Sequence, residues 1–165
     1  MKILYGVVGE GMGHAMRSRV IIDHLVNEGH EVAIMASSRA VDYLERSFKD
    51  VSSVKDINKI HGLYIITEEN RVRLGKTILS NALRGAAALP KQIAAYFDLL
   101  DDLNPEVVIS DFESWTHLYG ESHGIPVFSV DNMHIIHRCD LPKKVIEGQR
   151  KNFEITKAFI KGNLL

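Results

Sequence analysis

The sequence predicts an α/β fold built on an open, doubly wound parallel sheet. Four apolar runs predict strands, at residues 2–8, 30–37, 105–111 and 125–131. These runs are continuous and rich in β-branched residues, which is typical of strands buried on both faces. Segments with helical spacing separate them, and a parallel sheet covered by helices on both faces combines the two features.

The remaining elements follow from periodicity and from the residues that end helices. The first helix is predicted over residues 14–27, because apolar residues recur there at helical spacing and Gly29 follows. A long helical pattern covers residues 72–101 and is interrupted near Pro90, since proline disfavours a helical residue before it. The other expected elements are a helix at 40–48, strands near 51–57 and 63–67, a helix that ends at Gly124, and a basic amphipathic helix at 143–161.

Length and composition restrict the class of protein. The 165 residues suit one domain, and 45% hydrophobic and 25% charged residues are ordinary for a soluble globular protein. A net charge of -1 argues against a general nucleic-acid binder. No apolar run approaches the roughly 18 residues of a membrane span, and the single cysteine, Cys139, suits a reducing compartment. We therefore expect a cytoplasmic domain.

A glycine-rich turn, GEGMG, joins the first strand to the first helix. Gly9, Gly11 and Gly13 let the backbone approach a ligand, and the free N–H groups of a helix N-terminus favour an anion. A dinucleotide-binding turn would carry a third glycine where this chain has His14, and an acidic residue where the second strand ends at Ser37. A nicotinamide-dependent oxidoreductase and a purely structural turn remain as alternatives. A Walker loop is excluded, because no lysine follows the last glycine.

His14 is predicted at the start of the first helix, at the carboxyl edge of the sheet, where open α/β sheets bind ligands. A helix N-terminus disfavours a positively charged imidazole, so the ring is expected to be neutral and able to accept a proton. The alternative is a histidine that only caps or fills the turn.

Two carboxylates, Asp111 and Glu113, follow the third of the four strong strands. Because parallel strands end at the same edge of a sheet, Asp111 can meet His14 although the two are distant in sequence. A carboxylate behind a histidine base fixes its tautomer, whereas a carboxylate that caps the following helix does not. Both roles are open for Asp111.

Polar side chains also follow the fourth strand, at Asp131, Asn132 and His134. Together with His137 they could suggest a metal site, but their spacing matches no strong zinc pattern. We therefore predict no metal.

Three blocks are informative together: GVVGEGMGHAMRSRVIIDHLVNEGHEV, PEVVISDFES and IPVFSVDNMH. In this order they resemble the N-terminal half of GT-B glycosyltransferases, over most of residues 1–135. The likeness is to the branch that includes the lipid-linked sugar transferases of cell-wall synthesis and glycosyltransferase-like proteins of bacteria and archaea. It implies a single Rossmann-like acceptor-side domain over residues 1–165, a fragment without its last strands and without the C-terminal nucleotide-sugar domain.

The resemblance also implies an inverting sugar transfer. His14 would take a proton from an acceptor hydroxyl, which attacks the anomeric carbon of a nucleotide sugar, expected to be UDP-linked, and Asp111 would orient His14. No cofactor or metal is implied. The remaining implied substrate-binding residues are Gly11, Met12, Gly13, Glu113, Asn132 and His134. Many members carry a proline soon after the histidine, and its absence here leaves the acceptor class open.

The implied partners are the nucleotide sugar, a hydroxyl acceptor that can be lipid-linked, and a C-terminal GT-B domain in the same chain or in another. Without that domain the chain is expected to be inactive. An alternative from a different class is a non-catalytic subunit of a split glycosyltransferase that recruits a separate donor-binding chain.

Two basic segments, residues 71–91 and 138–161, interleave lysine and arginine with apolar residues. This composition suits peripheral contact with the inner face of an anionic membrane, where cell-envelope precursors are made. The preferred alternative is a solvated helix face whose apolar stripe packs on the sheet.

Overall fold

The computed structural model describes residues 1–9, 11–60, 67–68, 71–72, 103–130, 132 and 134–162. Its main sheet has five parallel strands in the spatial order β3-β2-β1-β6-β7. A separate antiparallel hairpin pairs β4 with β5. The strands are β1 (Lys2–Val7), β2 (Glu31–Ser37), β3 (Val54–Ile60), β4 (Thr67–Glu68), β5 (Arg71–Val72), β6 (Val107–Asp111) and β7 (Val127–Ser129).

Helices follow β1, β2, β6 and β7 along the chain, as the sequence predicts for a doubly wound fold. The described helices are α1 (Met12–Asn27), α2 (Arg39–Phe48), α3 (Ser114–Ser122), α4 (Ile135–Arg138), α5 (Lys143–Ile146) and α6 (Arg150–Gly162). The predicted fold class is confirmed.

The core lies on both faces of β1, because successive side chains of a strand point to opposite sides. Tyr5 and its odd-numbered neighbours pack with apolar residues of α1 and α2, such as Ile22 and Leu44. Leu4 lies on the other face, in a cluster that includes Tyr119 of α3. Burial on both faces explains why β1 is a continuous apolar run in the sequence.

The strand order places a topological switch point beside β1. From β1 the chain moves outward through β2 to β3, and it later returns to the opposite side of β1 to form β6 and then β7. In open α/β sheets, ligands bind at such a point, outside the carboxyl ends of the strands.

Several element boundaries differ from the predictions. Val72, expected in a helix, forms part of the β4–β5 hairpin, and the rest of the helix predicted up to residue 101 lies outside the described residues. The predicted tail helix is two helices, α5 and α6, because Gly148 between them has a φ of 75°, which a continuing helix does not allow. The fourth strong strand is shorter than expected, and α1 begins at Met12, before His14.

Gly9 is required by a close backbone approach. A Cβ built on it would lie 1.8 Å from the carbonyl oxygen of Ser37 at the end of β2, and backbone cannot move aside cheaply. We expect Gly9→Ala to lower the free energy of unfolding by about 1–3 kcal/mol, measured by urea denaturation.

Gly13 provides the matched control, because it belongs to the same glycine-rich turn but lies within α1 with open space around its Cα. Gly13→Ala should leave stability unchanged or raise it by up to about 1 kcal/mol, since alanine favours the helix. Equal losses in the two variants would contradict the packing argument.

Candidate active site

The pairing of β1 with β6 brings the two predicted catalytic residues together. Val7, the last residue of β1, lies opposite Asp111, the last residue of β6. The amide of Val8 donates to the carbonyl of Asp111 at 3.2 Å. The chain then turns through the glycine loop into α1, so the first turns of α1 lie over the end of β6.

His14 and Asp111 are in direct contact. Nδ1 of His14 lies 2.6 Å from Oδ1 of Asp111. The Asp111 side chain is wholly buried, whereas 21% of the His14 side chain is exposed. Among the described residues, the polar atoms near the His14 ring all lie at Nδ1: Oδ1 of Asp111, and Nη2 of Arg17 at 3.2 Å, which as a second N–H group is a close neighbour and not a hydrogen-bond partner of a protonated Nδ1.

Three further donors from the described residues contact the Asp111 carboxylate. Nε of Arg17 donates to Oδ2 at 3.1 Å, Nη2 of Arg17 donates to Oδ1, and the hydroxyl of Ser18 donates to Oδ2 at 2.8 Å. Nη2 of Arg17 also donates to the carbonyl of Val130 at 3.0 Å, just beyond β7. Burial by itself raises the pKa of Asp111, but the hydrogen bonds from His14, Arg17 and Ser18 outweigh it and lower the pKa below its ordinary value.

This environment defines the tautomer of His14. An ionised carboxylate is an acceptor only, so a separation of 2.6 Å from Nδ1 requires a proton on that nitrogen. The lone pair of the neutral ring is then on Nε2, which can accept a proton from a bound hydroxyl.

Tyr5 of β1 is buried in the core, close enough to the site for its pKa to respond to the charges there. Burial raises the pKa of the Tyr5 phenol to about 12, while Ser18 and the Arg17 charge lower it and the Asp111 charge raises it by smaller amounts. The phenol is therefore neutral at physiological pH.

The turn after β6 directs Asp111 and Glu113 to different partners. Phe112 between them has a φ of 53°, in the left-handed region that non-glycine residues rarely adopt. Glu113 is the N-cap of α3, and its carboxylate accepts the amides of Trp115 at 2.9 Å and Thr116 at 2.7 Å. Burial raises the pKa of Glu113, and these backbone hydrogen bonds oppose that effect. The capping role considered for Asp111 thus belongs to Glu113, and the predicted contact of Glu113 with a substrate stays a prediction.

An open pocket of about 400 Å³ lies beside the end of β7. Two predicted substrate-binding residues, Asn132 and His134, line it, and the His134 ring also lies against Phe112, with 5.8 Å between ring centroids. Arg17 connects this pocket to the His14–Asp111 pair. Besides Asp111, it binds the carbonyl of Val130, which lies in the sequence between the pocket residues Ser129 and Asn132. The remaining lining residues are Ile135, Arg138 and Cys139.

The predicted loop residues Gly11, Met12 and Gly13 are exposed at the start of α1. Gly11 is the N-cap and provides no side-chain cap, and the first turn of α1 carries no acidic residue. Among the described residues, no side chain accepts a hydrogen bond from the N–H groups of this turn, which lie at the carboxyl edge of the sheet. Ser37, where a dinucleotide enzyme would carry its acidic residue, is buried, and its hydroxyl accepts the amide of Gly9 at 2.7 Å.

Arg17 and Ser18 are functional candidates that the motif analysis missed. A signal was present, since positions 14, 17 and 18 have the i, i+3 and i+4 spacing that places side chains on one face of a helix. Ser18 has no exposed surface, and a buried polar residue on a helix face requires a polar partner.

Within the described part of the chain, no three His, Cys, Asp or Glu residues are grouped as metal ligands. Across those same residues, no helix has the length and apolar character needed to cross a membrane. The described basic tail exposes Val145 and Ile155; its contact with a membrane stays a prediction, and the basic segment near residues 71–91 lies almost wholly outside the described residues.

The buried charge of Asp111 should stabilise the fold in a pH-dependent way. Because its pKa is lowered in the folded state, the stabilisation is present above the ordinary carboxyl pKa and is lost as the pH falls through the folded value. We expect Asp111→Asn to cost about 2–4 kcal/mol at pH 7, with a difference from the wild type that becomes smaller as the pH falls below the ordinary carboxyl pKa, measured by urea denaturation across pH.

Asp23→Asn is the matched control on α1. Asp23 is 46% exposed and pairs with Arg19 at 3.6 Å, so its loss should change stability by less than about 1 kcal/mol at any pH. A difference between Asp111→Asn and the wild type that does not depend on pH would contradict the ionised state assigned to Asp111.

Comparison with known proteins agrees with this architecture. Arabidopsis thaliana UGT89C1 complexed with UDP-L-rhamnose aligns with a TM-score of 0.53 and 16% identity, over 94% of this chain and 41% of that one. Apo UGT2 of Phytolacca americana gives a TM-score of 0.55 and 14% identity, over 97% and 43%. The spinosyn rhamnosyltransferase SpnG complexed with thymidine diphosphate gives 0.51 and 17%, over 100% and 42%. These likenesses establish the fold, which is that of GT-B glycosyltransferases.

The chain spans about two fifths of the length of these solved structures. A comparison with curated proteins finds no significant match. The model of the family described as Glycosyl transferase family 1 matches residues 1–164, nearly the whole sequence. The chain therefore belongs to Glycosyl transferase family 1.

Proposed function

We propose that this chain is the acceptor-binding, base-supplying domain of an inverting glycosyltransferase that moves a sugar from a nucleotide sugar to a hydroxyl acceptor. The observation that carries the proposal is the 2.6 Å contact between Nδ1 of His14 and the buried Asp111, which leaves Nε2 for a substrate. Family membership indicates the class of reaction. The geometry of His14 and Asp111 indicates the role proposed for each of them.

In the proposed step, Nε2 of His14 takes the proton of the acceptor hydroxyl as its oxygen attacks the anomeric carbon. A new C–O bond forms on the face opposite the donor phosphate, while the bond from the anomeric carbon to the phosphate oxygen breaks. The electron pair of that bond leaves with the nucleoside diphosphate. The ionised Asp111 stabilises the imidazolium that forms on His14.

The pocket beside β7 is the proposed acceptor site. It is concave and contains the Asn132 amide, the His134 ring and the Arg138 cation beside the apolar Ile135. Such a mixture of apolar surface and a few polar groups is typical of small-molecule sites. Through Val130 and Arg17, the wall of the pocket is held at a fixed position relative to Asp111.

The start of α1 is the proposed contact for the donor phosphates. Gly11 and Gly13 leave room for a ligand near the backbone, and the positive end of the helix dipole favours an anion. Most nucleotide contacts are assigned to a C-terminal GT-B domain, in the same chain or in a partner. The UDP moiety, the lipid-linked acceptor and the location at the inner face of a membrane remain predictions.

We expect His14→Ala to lower the rate of sugar transfer by about 10²–10⁴-fold, because the general base is removed. The measurement is nucleoside diphosphate release from UDP- and TDP-sugars with a panel of hydroxyl acceptors, by this chain alone and with a donor-binding GT-B domain added. His24→Ala is the control, since His24 is an exposed histidine in the last turn of the same helix and should have no effect.

Acceptor binding is a separate readout. Cys139 is the single cysteine of the chain, is exposed and lines the pocket, so a fluorophore attached there should report acceptor binding. His14→Ala should retain that signal while transfer is lost. If acceptor binds but no sugar is transferred, either by this chain alone or with a donor-binding domain added, the alternative of a non-catalytic subunit is favoured. If neither acceptor binding nor sugar transfer is found, the proposal is contradicted.

A further inference from the structure

Arg17 connects three structural elements at the candidate site. It belongs to α1, one helical turn after His14, and its guanidinium contacts both oxygens of Asp111 at the end of β6. The same group holds the Val130 carbonyl beyond β7 at 3.0 Å. A planar guanidinium that binds both oxygens of a carboxylate fixes its orientation as well as its charge.

Four donor atoms of the described residues contact the Asp111 carboxylate. Oδ1 is contacted by His14 Nδ1 and Arg17 Nη2, and Oδ2 accepts from Arg17 Nε and the Ser18 hydroxyl. A carboxylate has about four lone-pair sites. Rotation of the group away from His14 would break hydrogen bonds to Arg17 and Ser18 together.

We propose that Arg17 is a positioning residue that keeps His14 in its proton-accepting form. It does so in two ways: it holds Oδ1 of Asp111 against Nδ1 of His14, and its positive charge compensates the Asp111 carboxylate. This inference rests on the proposed function for its kinetic readout only, because the state of the His14 ring can be measured without activity.

In the described part of the chain, two charged groups face His14. They are Arg17 of α1 and Asp111 of β6, and the neutral Tyr5 phenol of β1 is close enough for both charges to affect its pKa. Arg17 Nη2 lies 3.2 Å from Nδ1 of His14. Without the guanidinium, a buried negative charge would have His14 as its nearest cationic partner and would favour the imidazolium, which cannot accept a proton.

The test is the state of the His14 ring in wild type and Arg17→Gln, measured by long-range ¹H–¹⁵N NMR as a function of pH. His14→Gln identifies the His14 signals among the eight histidines. The wild type should show the tautomer with the proton on Nδ1. In Arg17→Gln the midpoint of the His14 titration should move to higher pH by about one unit or more. An unchanged midpoint would overturn the proposal.

Arg19→Gln is the matched control, because Arg19 lies on the same helix, is 49% exposed and pairs with Asp23. It removes the same charge from the chain and should leave the His14 titration unchanged. An equal shift in Arg19→Gln would show a general charge effect and contradict the positioning role.

Arg17→Lys separates charge from geometry and serves if Arg17→Gln does not fold. Lysine keeps the cation but cannot bind both carboxylate oxygens in the fixed geometry of a guanidinium. The titration midpoint should stay near that of the wild type, while the ring becomes a mixture of Nδ1–H and Nε2–H tautomers. If the His14 ring of Arg17→Lys keeps the wild-type tautomer, the proposal that Arg17 holds Oδ1 of Asp111 against Nδ1 of His14 is overturned.

The sugar-transfer assay provides a second, kinetic readout of the same proposal. The acidic limb of the kcat/KM profile should move to higher pH in Arg17→Gln, in step with the NMR midpoint, and should not move in Arg19→Gln. If the NMR shift occurs in a chain for which no transfer is found, the Arg17 proposal holds and the proposed function fails. If transfer occurs but neither readout moves, the Arg17 proposal fails alone.

Discussion

The candidate site depends on the buried charge of Asp111. A carboxylate without solvent contact is costly unless donors compensate it, and here α1 provides all the described side-chain donors, from His14, Arg17 and Ser18. His14, Arg17 and Ser18 occupy positions i, i+3 and i+4 of α1, and all three can face the carboxylate in only one rotational orientation of the helix about its axis. The charge therefore sets how α1 lies on the sheet, and with it the position of the glycine loop.

Topology brings that charge to α1. A chain that placed β6 beyond β3 would carry the same residues at the same sheet edge, but several strands away from His14. The return of the chain to the other side of β1 puts Asp111 opposite Val7, one short turn before the helix. The close approach of Gly9 to Ser37 on the β2 side and the pairing with β6 on the other fix the path of that turn.

The sequence predicts the strongly apolar elements well, because burial on both faces leaves a continuous β-branched run in β1, β2 and β6. It does not predict pairing, since runs of this kind carry no information about which neighbour each strand takes. It also left open whether Asp111 caps the following helix. The turn at Phe112 decides this, because a positive φ at a phenylalanine is not signalled by residue type, and Glu113 provides the cap. The contact between Arg17 and Asp111 could not be predicted either. It depends on how α1 is rotated about its axis on the sheet, and only the tertiary structure shows this.

The charge balance bears on the direction of proton transfer. A histidine paired with one buried carboxylate is stabilised as imidazolium and is suited to donate a proton, whereas a histidine beside a carboxylate already paired with a guanidinium has no net charge to compensate. The His14 environment is of the second kind, since Arg17 contacts both Asp111 oxygens. A reaction that begins by removing a proton from a hydroxyl needs this arrangement, because its base must be neutral before the step and stabilised as a cation during it. In the proposed transfer, the Oδ1 contact with Nδ1 would meet the second requirement and Arg17 the first.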